Sequence, residues 1–180
     1  MEPSKGFYEN EEDKVTLVID IFVEEQKTDK FDSNPNKTNG KIVMEIGKLS
    51  EFVLEICWSE RRSETVHIKG LPWKIWARIE RANDSTEKLL GFYLWCDARR
   101  EQNFTCSSTF RIVSQMSGTE DLSDIRNEYF LDSTETYWGF GNFISFTELM
   151  DPEKGFYNES EDKVTLAIDL SVEEENSEEQ

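Results

Sequence analysis

Apolar residues recur at every second position over most of the chain. Leu71, Trp73, Ile75, Ala77 and Ile79 alternate with Pro72, Lys74, Trp76, Arg78 and Glu80, which is the period of a strand with one buried face. Leu90, Phe92, Leu94 and Cys96 alternate with Gly91, Tyr93, Trp95 and Asp97. Phe104, Cys106, Ser108, Phe110 and Ile112 make a third such face, and Val164, Leu166, Ile168, Leu170 and Val172 a fourth. Further strands are expected over 42–49, 53–58 and 128–132, and only FTELMDPEK near residue 150 reads as a helical turn. The polar separators RANDSTEK and DARREQN sit at hairpin spacing. Short alternating strands in this number predict an all-β fold, an antiparallel β-sandwich of seven to eight strands.

The chain also repeats itself. Residues 3–25, PSKGFYENEEDKVTLVIDIFVEE, match residues 152–174, PEKGFYNESEDKVTLAIDLSVEE, at 16 of 23 positions with an offset of 149. An offset of that size is a whole domain rather than a solenoid repeat, so tandem duplication of one module is the expected origin. Residues 1–26 then read as the terminal strand of a preceding, truncated module, and residues 27–40 as a polar linker. The intact module is expected over 41–174, followed by an acidic tail at 175–180. Val15, Leu17, Ile19, Ile21 and Val23 carry the same inward pattern as Val164 to Val172, so one sandwich offers one slot for two strands. An extra N-terminal strand of this kind is expected either to dock on a free sheet edge or to mediate self-association through residues 15–23.

Charge narrows the function classes. Twenty Lys and Arg stand against 38 Asp and Glu, a net charge of −18, which opposes nucleic acid and anionic lipid at long range. Neither a membrane span nor a leader is visible, so a cytoplasmic setting is expected, with the nucleus as the second choice. Cys57, Cys96 and Cys106 form no CxxC pair, and no metal or other cofactor is expected.

Catalysis has little to stand on. His67 is the sole histidine, and the chain holds no HExxH, GxSxG or phosphate loop. Thirty-eight acids supply too many accidental carboxylate pairs to point to glycoside hydrolysis. Aromatic residues are more informative. Trp76 shares a strand face with Lys74 and Arg78, while Tyr93 and Trp95 lie opposite the Phe92/Leu94 face. Rings facing each other across a hairpin make a patch turned away from the core, which suits recognition. Tyr129 with Tyr137, Trp138, Gly139 and Phe140 forms a second cluster, with Gly139 expected at a bend or bulge that aims its neighbours.

The runs LPWKIWARIER, LLGFYLWC, FTCSSTFRIVS, YWGFGNFISFTELMD and DKVTLAIDLSVEE, in that order and spacing, resemble a MATH domain, the fold shared with the TRAF C-terminal domain. The likeness covers nearly all of 41–174 and is similar in detail to nematode-type proteins with tandem MATH modules or a MATH–BTB pair. It implies a non-catalytic module holding extended, Ser/Thr-containing peptides of partner proteins in a shallow groove across one sheet, and a place as substrate-recognition part of a ubiquitin-ligase adaptor. Carried onto this chain, the groove aromatics are Tyr93, Tyr129, Trp138 and Phe140, beside Gly139. Ser108 stands where a peptide-binding relative has phenylalanine, and Thr136 and Tyr137 stand where it has a Lys-Asp pair. That relative's peptide motif is therefore not carried over. The alternative is a carbohydrate-binding β-sandwich, because exposed Trp and Tyr stack on sugar rings. Throughout, the groove rings are expected to lie open to water.

Overall fold

The computed structural model describes residues 38–82, 86–96, 104–131 and 136–174. The duplicated segment 1–26, most of the linker and the tail 175–180 lie outside the described residues. In chain order the elements are β1 (Asn39–Gly47), α1 (Leu49–Phe52), β2 (Glu60–Arg62), β3 (Val66–Ile68), β4 (Leu71–Arg81), β5 (Lys88–Cys96), β6 (Phe104–Ile112), β7 (Leu122–Leu131), β8 (Tyr137–Ser145), α2 (Phe146–Leu149), β9 (Tyr157–Asn158) and β10 (Lys163–Glu174).

Two antiparallel sheets face each other. One runs β1-β10-β6-β7, with β9 on β10; the other runs β2-β4-β5-β8, with β3 on β4. Each long strand turns its apolar set inward: Trp73, Ile75, Ala77 and Ile79 from β4 and Leu90, Phe92, Leu94 and Cys96 from β5 meet Phe110, Ile112, Leu166 and Ile168 from the facing sheet, all fully buried. The all-β sandwich expected from the alternation is the observed architecture. Burying each Leu, Ile or Phe contributes about 1.5–3 kcal/mol, so the two-layer core is the main support of everything mounted on it.

Three details differ from the sequence reading. The stretch 53–58 is not a strand: it follows α1, whose Leu49 and Phe52 are buried one helical turn apart. Asp162 secures that turn, accepting from the Ser50 amide at 2.9 Å and from the Ser50 hydroxyl at 2.7 Å, and its own carbonyl takes the Leu49 amide at 3.0 Å. Short β2, with no apolar residue, and β3, which buries Ile68, form along the edge that β4 offers them. The first residues assigned to the linker, Asn39 and Gly40, already belong to β1, in register with Ser171 and Leu170.

Candidate functional site: the edge where the two sheets meet

β7 pairs only with β6, and β8 only with β5, among the described residues. Among the described residues both sheets therefore present a free edge on the same side of the sandwich. The direction of the β8 backbone groups follows from its pairing. The Cys96 amide donates to the Thr136 carbonyl at 2.8 Å, so by antiparallel alternation Trp138 and Phe140 also turn their main chain toward β5. Tyr137 and Gly139 turn theirs outward to the edge.

Beneath that edge lies an aromatic seam. Trp138 is 5% exposed, stands edge-on to Trp73 at 5.7 Å and stacks on Tyr129 at 4.9 Å. Its indole N–H donates to the Ser108 hydroxyl at 3.3 Å, which satisfies a polar group that would otherwise be buried unpaired. Phe140 packs edge-on against Phe110 at 5.3 Å and Phe143 at 5.4 Å. Over its outer side lies the Arg126 guanidinium, 4.2 Å from the ring centre, and Arg126 Nη2 donates to the Gly139 carbonyl at 3.3 Å.

Gly139 is required here. Its φ is +151°, and a Cβ would run into the Phe92 carbonyl and stand 2.7 Å from Tyr93 Cα. The expected bulge lies beside it, between Leu90 and Phe92 of β5 opposite residues 141–143 of β8. Those extra residues let Phe140 and Phe143 both reach the core side, 5.1 Å separating Phe92 from Phe143.

Outside the same edge is a second surface. Tyr137, 45% exposed, meets Trp76 at 5.0 Å and Tyr93 at 5.7 Å, and Trp76 and Tyr93 are 5.3 Å apart. This is the outward ring patch that strand alternation predicts. Cations are threaded through it: Arg62 lies 4.3 Å from the Trp95 ring, and Arg78 lies 4.7 Å from Trp76 and 4.9 Å from Trp58. Trp58 itself is 63% exposed with φ of +77°, an uncommon conformation for a bulky residue. Its amide is tied to the Ile79 carbonyl at 2.8 Å. Glu80 holds the patch from below, accepting from the Tyr93 hydroxyl at 2.8 Å and Arg78 Nε at 2.7 Å. Burial first, and then the bond to the Glu80 carboxylate, push the Tyr93 phenol up to about 12.

One expectation is corrected. The groove rings were expected to be open to water, yet Trp138 belongs to the core, and Tyr93 and Ser108 are buried at 8% and 3% exposure. Tyr93 is roofed by Trp76 and Tyr137, Trp138 is closed in by Trp73 and Tyr129, and Ser108 is covered by Trp138. Tyr129 and Phe140 are half-buried; Thr136 and Tyr137 are the exposed members. The structure thus gathers the named residues at one edge but splits them into a buried support and an outer rim. Sequence reading missed Arg126, whose place is set by register across two strands, and Trp58, which no alternation marks.

The MATH domain profile matches residues 41–170. The chain belongs to the MATH domain family. This MATH domain is 27% identical over 113 residues, 61% of its own length, to ubiquitin carboxyl-terminal hydrolase 7 of Drosophila melanogaster, and it spans 9% of that protein. Among solved structures it is similar to Notothenia coriiceps TRAF5, with a TM-score of 0.47, 13% identity, and coverage of 78% of this chain and 76% of that one. A MATH domain is a protein-interaction module.

Proposed function

We propose that this MATH domain captures an extended segment of a partner protein by adding it as a strand along the outward edge of β8. The observation that carries the reading is the outward-turned main chain at Tyr137 and Gly139, set between a buried aromatic seam and an outer aromatic rim. Strand addition draws affinity from main-chain hydrogen bonds and selectivity from alternate side chains, which would face Phe140 and Arg126 on one side and Tyr137 on the other. No chemistry is done on the ligand. The resemblance to ubiquitin carboxyl-terminal hydrolase 7 supports a place in a ubiquitin pathway, as the recognition part of an adaptor. A linear Ser/Thr-containing segment is the proposed ligand class, with tandem MATH modules or a BTB domain as the proposed setting.

The test uses one position twice. Proline is tolerated in a strand where the N–H faces away from the sheet, so Tyr137→Pro removes one outward donor and the ring, whereas Tyr137→Ala removes only the ring. On a peptide array, Pro is expected to abolish capture and Ala to weaken it. Equal capture by wild type and Tyr137→Pro would defeat the edge reading. Capture on a glycan array, lost in Tyr137→Ala, would favour sugar stacking instead.

A further inference from the structure

Arg126 sits on β7 but spends its side chain on β8. Its Nη2 donates to the Gly139 carbonyl at 3.3 Å and its guanidinium covers the Phe140 ring at 4.2 Å. Gly139 is one of the two residues whose main chain turns outward along the β8 edge, so its carbonyl is an acceptor that an added strand needs. The amide of an added strand and the Arg126 guanidinium would crowd each other at the same oxygen.

We propose that Arg126 is a placeholder in the free protein and the specificity-determining residue of the bound one, selecting a segment with an Asp or Glu side chain beside Phe140. The inference rests on the edge-binding reading. When a ligand amide takes the Gly139 carbonyl, Arg126 loses its main-chain acceptor but stays within reach of the ligand through its stem. Four of its five N–H donors have no partner among the described residues even before this, and no carboxylate among the described residues pairs with it. A guanidinium released from a carbonyl and resting on an aromatic face is best satisfied by a carboxylate, which it can grip with two parallel N–H bonds. The net charge of −18 opposes an acidic ligand from afar, but at physiological salt that field is screened within about 8 Å, so the local cation decides.

The placeholder role has the opposite sign for other ligands. For a segment with no acid at that position, Arg126 only competes for the carbonyl, and removing it favours binding.

The experiment pans a phage-displayed random linear peptide library on the full chain and on Arg126→Gln and Arg126→Glu, after thermal melts show that both exposed-site variants fold as wild type does. Wild type is expected to enrich peptides with Asp or Glu at one fixed position. Arg126→Gln should bind those peptides about tenfold more weakly, the value of one charge-assisted pair, and bind their Asp→Ala or Glu→Ala versions more tightly than wild type does. Arg126→Glu should enrich Lys or Arg at the same position. One motif shared by all three proteins, or a wild-type motif with no acidic position, overturns the role of Arg126. If that motif is still lost in Tyr137→Pro, edge binding stands while the Arg126 inference falls. No enriched motif on wild type, or one indifferent to Tyr137→Pro, takes down the edge reading and this inference together.

Discussion

Trp138→Ala separates a binding ring from a supporting one. In the structure the indole is nearly sealed, with Trp73 edge-on, Tyr129 stacked on it and the Ser108 hydroxyl bonded to its N–H. Truncating a buried Trp to Ala costs about 3–5 kcal/mol through lost transfer energy and the cavity left behind. The Ser108 hydroxyl, 3% exposed, is then buried without that partner, adding about 1 kcal/mol or more. The expected loss is therefore about 4–6 kcal/mol, against a total stability of about 5–15 kcal/mol for a domain. At about 2–4 °C per kcal/mol for a chain of this size, the melting midpoint should fall by roughly 10–20 °C. Trp138→Phe keeps a ring in the seam and gives up mainly the Ser108 bond, so it should fall much less. Urea and thermal unfolding of the three proteins measure this directly. A Trp138→Ala protein that melts within a few degrees of wild type would show that the ring is a surface group, and the two-level site described above would be wrong. The same reasoning makes Trp138 a poor control in binding assays, because any loss of capture would report unfolding.

Two further outcomes follow from the geometry. Gly139→Ala places a methyl group against the Phe92 carbonyl and 2.7 Å from Tyr93 Cα, at φ of +151°; strain of this kind costs about 1–3 kcal/mol. Amide exchange should speed up along β5 and β8 and stay unchanged along β1 and β10; uniform acceleration, or none, would refute the local reading. Tyr93 keeps its proton up to about pH 12 in the fold, whereas an unfolded tyrosine loses it near 10. Its contribution is thus complete below about pH 10 and declines as pH rises through that window to about 12. Tyr93→Phe should flatten that decline in the urea midpoint, and an unchanged slope would remove the assignment.

Alternation carried most of the architecture because each long strand turns one set of alternate residues into the core, as Ile75, Leu94 and Ile168 do, although β5 is covered on both faces, with Tyr93 buried as well as Phe92. It failed at 53–58, a run of turns in which Leu54 and Ile56 are exposed, because the helical turn just before it already buries Leu49 and Phe52. At the site, local pattern placed the rings on strands but could not say which were covered. Trp138 is closed off by Tyr129 from β7 and Trp73 from β4, and Tyr93 by Trp76 from β4. Burial of that kind depends on which strands become neighbours. Arg126 illustrates the same limit: an ordinary cation in RNEYF by sequence, it gains meaning only once the β7 and β8 edges lie side by side.

β7 and β8, each paired on one side only among the described residues, are also consecutive in the chain, within residues 122–145. If the proposed edge is where partners bind, rewriting one short stretch of sequence would retarget the domain while the remaining strands keep the scaffold upright. Related domains of this build would then diverge in what they catch long before they differ in how they fold.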